Sequence, residues 1–156
     1  MLQAAVVPGE HARDVMLNQP NEGRDMPVGS HLLDDVEVMG RSSMTHLTVQ
    51  GLPICQLAAG RDLIKIDAEG IEAALLADIR GLLLQKRPTL MIEVLPEAAQ
   101  LGELLAALAT EADYQIHVLP EYGSDRVVTV PAASFTSSVP RAYNSKDVVL
   151  STGPLA

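Results

Sequence analysis

Aromatic residues are nearly absent from this chain: phenylalanine, tyrosine and tryptophan together make up 3% of its 156 residues, and there is no tryptophan. Base-stacking platforms for single-stranded nucleic acid are therefore not expected. Positive charge is also scarce, at 11 Lys and Arg against 20 Asp and Glu, for a formal net charge of −9. Such a surface repels phosphate backbones, so no nucleic acid is expected as a partner. The single cysteine, Cys55, excludes an internal disulfide and a cysteine-based zinc site, which suits a reducing, cytoplasmic setting. No apolar run reaches the length of a membrane span, and the N-terminus lacks the basic and apolar regions of a secretory signal. What remains is ample apolar material: 47% hydrophobic residues, mostly aliphatic, enough for one domain with its own core.

Residues 61–94 organise that material. Leu63, Ile64, Lys65 and Ile66 read as a strand, which runs into Asp67, Glu69 and Gly70. Ile71, Leu75, Ile79, Leu82 and Leu83 then recur at helical spacing, widened by Leu76 and Leu84. Pro88 ends the helix, and residues 90–92 form a second strand closing on Glu93. This is one βαβ unit.

On either side the pattern is less regular. Residues 2–7 (LQAAVV) predict a short buried strand stopped by Pro8 and Gly9. Residues 15–17 suggest a short edge strand, and 36–39 and 46–49 two more strands of a meander. Residues 52–59 predict one short helix stopped by Gly60. Beyond the central unit, a helix over about 98–111 carries Leu101, Leu104, Leu105 and Leu108 on one face. Strands follow at 114–119, 126–130 and 147–150, with a polar loop over 132–144. The whole predicts a single α/β domain over 1–156, with a strand-and-meander region to residue 60 and an α/β core from 61. Its sheet should be mostly parallel and flanked by helices, with an antiparallel C-terminal edge.

In open α/β sheets ligands bind beyond the carboxyl ends of the strands. Asp67 and Glu69 follow one such end and Glu93 closes the next, so neighbouring strands would bring three carboxylates together. Their mutual repulsion would be relieved by raised pKa values, a bound cation or a cationic ligand. The cluster could bind Mg²⁺ or take a proton from a substrate hydroxyl. A structural account competes on even terms: Asp67 can cap the following helix, and Glu69 and Glu72 can favour its dipole. Lys65 suits an ion pair better than catalysis. His11, His31, His46 and His117 have no ligand spacing, so surface or incidental roles are favoured; Cys55 is expected in the core.

The run Asp62-Leu63-Ile64-Lys65-Ile66-Asp67-Ala68-Glu69-Gly70-Ile71-Glu72 resembles the hallmark of the FkbM family of S-adenosylmethionine-dependent methyltransferases. Arg87-Pro88 and the apolar run to Glu93 fit that family's next strand, Asn21 and Gly23 resemble its Asn-x-Gly turn, and residues 146–150 its closing strand. The resemblance is strong over 61–94 and loose elsewhere. It implies a class I methyltransferase (Rossmann-like) sandwich with helices on both faces of the sheet and an antiparallel final strand. It also implies O-methylation of a sugar or small-metabolite hydroxyl, with S-adenosylmethionine as methyl donor. Asp67 and Glu69 would be catalytic, Asp67 being the preferred base; Glu93, Glu72 and Asn21 would contact the acceptor; no metal ligand is implied.

One departure limits this. The family's Gly-rich loop between a first strand and a helix, which only bare backbone lets approach the cofactor, has no counterpart here, nor has the ribose-binding acid after the second strand. The sequence therefore resembles the C-terminal part of such an enzyme, truncated on the cofactor side. Two other readings stand beside it: a non-catalytic binding or assembly module that pairs through an exposed sheet edge into a homo-oligomer, and a Mg²⁺-dependent α/β enzyme using Asp67 and Glu69.

Overall fold

A computed structural model describes residues 5–20, 31–32, 44–68, 70–120 and 126–155. The strand expected over 36–39, residues 2–4, Asn21 and Glu69 lie outside the described residues. The chain is mixed α/β, with two sheets and five α-helices among those residues. It divides into two compact units, Met1–Leu57 and Ala58–Ala156. No helix among the described residues is long and apolar enough to cross a membrane.

The first unit carries a four-stranded sheet in the order β1-β4-β2-β3. Its strands are β1 (Ala5–Val7), β2 (Arg13–Pro20), β3 (His31–Leu32) and β4 (Met44–Pro53). The short edge strand expected at 15–17 is instead eight residues long and interior, pairing antiparallel with β4 on one side and β3 on the other. Its polar residues Arg13, Asp14, Asn18 and Gln19 mask it as a loop in sequence; β4, opposite it over its whole length, makes it a strand. Strand β4 also runs through Leu52 and Pro53, so the helix expected over 52–59 shrinks to α1 (Ile54–Ala58). Gly60, at φ +70°, ends it as expected. Cys55 is half-buried, not a core residue.

The second unit is built on a five-stranded sheet in the order β5-β6-β9-β7-β8. Strand β5 (Leu63–Ile66) lies parallel to β6 (Thr89–Glu93). The remaining neighbours pair antiparallel: β6 with β9 (Asp147–Ser151), β9 with β7 (Gln115–Leu119), and β7 with β8 (Val128–Val130). The sheet is thus mixed, not mostly parallel. The final strand is not an edge either, because β9 fills the space between β6 and β7 and β8 forms the border. Its run Val148-Val149-Leu150 is buried on both faces, as an interior strand requires.

The expected single helix of the βαβ unit is broken in two, α2 (Glu72–Asp78) and α3 (Arg80–Lys86). Ile79, at φ −99° and ψ 10°, interrupts the ladder, and Gly81 beside it further weakens helix propensity. The apolar face survives the break: Leu75, Leu76, Ile79 and Leu83 are all buried. Both segments pack against α4 (Ala99–Ala112), which buries Leu101, Leu105 and Leu108. An exposed ion pair, Arg80–Glu111, ties α3 to α4. The loop expected over 132–144 contains a 3-10 turn (Ala132–Ser134) and the short helix α5 (Val139–Ala142).

Two buried polar side chains lock the sheet. Tyr114 donates its hydroxyl to the Pro88 carbonyl (2.9 Å), joining the entrance of β7 to that of β6. Burial disfavours the phenolate and pushes the phenol from 10.0 up to about 12, the Arg87 charge offsetting part of the rise. The folded state holds this proton more tightly, so the associated stability is complete below pH 10 and is lost as pH rises toward 12. An absorbance titration should find one of the three tyrosines ionising late, in step with unfolding; Tyr114→Phe should abolish that late phase. His117, expected at the surface or in an incidental role, is fully buried instead. Its Nε2 and Nδ1 meet Ser151 Oγ and Thr129 Oγ1, each at 3.0 Å. The Ser151 hydroxyl donates onward to the Gly153 carbonyl, which leaves its oxygen to accept from Nε2–H.

Candidate functional site

The acids of the central unit meet at the carboxyl ends of β5 and β6. Ile66 and Ile92 are register partners, so Asp67 leaves β5 beside Glu93, the last residue of β6. Glu93 in turn faces Asp147 at the start of β9, and Asp147 faces Leu119 at the end of β7. The Val94 N–H donates to the Lys146 carbonyl (2.7 Å), fixing Lys146 next to Glu93. Ser145 sets the entry to β9: its hydroxyl donates to the Leu119 carbonyl, and its oxygen accepts from the Asp147 N–H (3.0 Å). Three strand ends and one strand start thus converge on Asp67, Glu93, Lys146 and Asp147.

Two lysines stand against the acids of this cluster. Asp67 lies 3.4 Å from Lys65 Nζ, with both side chains about half exposed. Glu93 is buried, and Lys146 pairs with it while remaining half exposed. The hydrogen bond to Glu93 and that carboxylate's charge raise the Lys146 ammonium above its usual 10.5, and the charges of Asp147 and Asp67 add to the effect. The pair's contribution to stability is therefore present up to about pH 10.5 and is lost as pH rises beyond it. Asp67 is near enough to act on Lys146, so the two ion pairs form one mixed-charge surface.

Glu72 has a different task from the one its sequence position suggests. It is buried, and its carboxylate turns back to accept from Ala68 N–H (2.9 Å) and from Gly70 N–H (3.1 Å to each oxygen). It closes the loop that carries Asp67, where Asp67 was the expected cap. Gly70 sits at φ +107°, a conformation that a side chain would strain. Glu69 and Asn21, proposed from sequence as catalytic and acceptor-contacting, lie outside the described residues. Of the residues singled out in sequence, the structure sets Asp67 beside Glu93, with Glu72 holding the loop that carries Asp67.

Sequence reasoning missed Lys146 and Asp147 as site residues. The signal was available: a buried carboxylate ending an apolar strand needs a cation, and Lys146 opens the other strongly apolar strand. Among the described residues no group of three or more His, Cys, Asp or Glu side chains is placed to hold a metal ion. A shallow groove between α4 and the 132–135 turn, lined by Glu103, Ala106, Thr110, Ala133 and Phe135, includes none of these acids. Compared with protein-family models, curated proteins and solved structures, the chain matches none.

Proposed function

We propose that the second unit is the acceptor side of an S-adenosylmethionine-dependent O-methyltransferase of the FkbM type. The reading rests on the sequence motif together with one observation. The motif's strand and the next one are parallel neighbours, which sets Asp67 and Glu93 side by side at their carboxyl ends. The antiparallel final strand β9, which the resemblance implies, supports it further. In this reading Asp67, half exposed at the loop, accepts a hydrogen bond from an acceptor hydroxyl, orients it and is the base for its proton. Glu93 and Lys146 line the site, offering an acceptor and a donor to neighbouring hydroxyls. The acceptor in this reading is a hydroxyl of a sugar or small metabolite.

The described residues do not fit the cofactor. Of the loop amides between β5 and α2, Ala68 N–H and Gly70 N–H are committed to Glu72 and offer nothing to a cofactor carboxylate. The other glycines with positive φ, Gly9 and Gly60, do not sit between a strand and a following helix. No step is therefore assigned to S-adenosylmethionine on these residues. A second reading, a non-catalytic module, is favoured by the same pairing: Asp67, Glu72 and Glu93 all have partners within the fold.

Amide-resolved NMR titration with a panel of neutral sugars and polyols separates the two. Methyl acceptance predicts shifts at Asp67, Ala68 and Val94 that Asp67→Asn abolishes. A panel that leaves these amides unmoved favours the module.

A further inference from the structure

Strand β5 borders the five-stranded sheet, and no described strand pairs with its outer side. Its hydrogen-bonding pattern is fixed from the inside. The Thr89 N–H donates to the Asp62 carbonyl (2.8 Å), so by the alternation of a parallel ladder the backbones of Asp62, Ile64 and Ile66 face β6. Leu63 and Lys65 turn their N–H and C=O groups to the open side, and the same alternation carried one residue past the strand would turn those of Asp67 outward as well. Leu63 is 63% exposed, unusual for a leucine in a strand.

Lysine on an open edge is a common guard against pairing, because a neutral partner strand would desolvate it without compensation. Here the guard has its complement two residues on. We propose that β5 pairs antiparallel with β5 of a second copy of this chain, about a two-fold axis through Ile66. In that register Lys65 lies opposite Asp67 of the second copy, and Asp67 opposite its Lys65. Both positions present their backbone groups outward, so they form hydrogen-bonded pairs. Ile66 meets Ile66 as the closer, non-hydrogen-bonded pair on the other face. A two-fold axis through Lys65 would oppose two ammonium groups. An axis through Ile64 would set Lys65 against Leu63. Only the Ile66 register satisfies charge and ladder together, and it recruits charges now about half exposed. The sheet would then continue across the two-fold, a self-complementary interface that closes at two copies. This inference does not depend on the methyltransferase reading.

Sedimentation analysis of the whole chain over a dilution series tests it. The wild type should move from 16.6 kDa toward twice that mass as concentration rises. Lys65→Asp should hold it at monomer mass, and adding Asp67→Lys to that variant should restore the dimer. Lys65→Pro is the second check. It removes an N–H that no bond within the sheet uses, so circular dichroism should stay native while dimerisation is lost. A wild type that stays monomeric throughout overturns the proposal, as does a dimer that persists in Lys65→Asp and Lys65→Pro. A charge swap that fails to restore the dimer overturns the register.

Discussion

Glu72→Ala is expected to cost about 3 kcal/mol of folding stability, because two part-buried loop amides lose a charged acceptor. The Glu72 side chain is buried, and its carboxylate accepts from both Ala68 N–H and Gly70 N–H. A hydrogen bond to a charged group contributes about 1.5–3 kcal/mol, and Ala has no atom to replace either. Water would reach part of the loop, which keeps the expected loss below the sum of two such bonds. Glu72→Gln retains one carbonyl oxygen and should recover part of the loss. Urea denaturation followed by circular dichroism measures both. A loss below about 1 kcal/mol for Glu72→Ala would mean that the loop holds its shape without the carboxylate.

Gly102→Ala should destabilise by about 2–3 kcal/mol, against the usual sign for this change in a helix interior. Alanine ordinarily gains about 1 kcal/mol over glycine there. At this position a Cβ would lie 2.5 Å from the Ser137 amide nitrogen and 3.2 Å from the Ser137 Cα and the Thr136 carbonyl carbon. All three are backbone atoms, so no side-chain rotation removes the clash. Ser137 is itself held, its hydroxyl donating to the Pro96 carbonyl (2.7 Å) at the start of α4. Either α4 or the 135–137 segment must shift, and buried Phe135 must shift with it. Gly81, whose Cβ would meet nothing, is the control: Gly81→Ala should be neutral or stabilising in the same denaturation experiment. Equal responses at the two glycines would contradict the close approach.

The parts that could be read in advance are those whose information is local. Strand β5 falls where Leu63 to Ile66 alternate, Gly70 marks the turn, Pro88 separates helix from strand, and the leucine stripe of α4 sits on its buried face. The misjudged parts depend on partners far along the chain. Strand β2 is polar enough to pass for a loop until β4 is laid beside it. The interior place of β9 depends on β7, and its continuous apolar run was the clue that pointed away from an edge. The site follows the same division. Asp67 and Glu93 are visible as acids closing apolar strands. Lys146 pairs with Glu93 from 53 residues away, so the need for a partner could be read at Glu93 while the choice of Lys146 depended on β9 lying beside β6. The role of Glu72 was hidden for another reason: an acid at a helix start suits the dipole equally well whether it faces solvent or turns back onto the loop.

In the proposed reading the second unit supplies only the acceptor side of a methyl-transfer site, and the described residues form no cradle for the methyl donor. Titration calorimetry of S-adenosylmethionine into the 156-residue chain tests that division most directly. The expected result is heat no greater than dilution at ligand concentrations up to about 1 mM, where even weak binding of about −4 kcal/mol would begin to register. A saturable one-to-one isotherm with a micromolar Kd would contradict the account, since it would require a cofactor cradle where none is described.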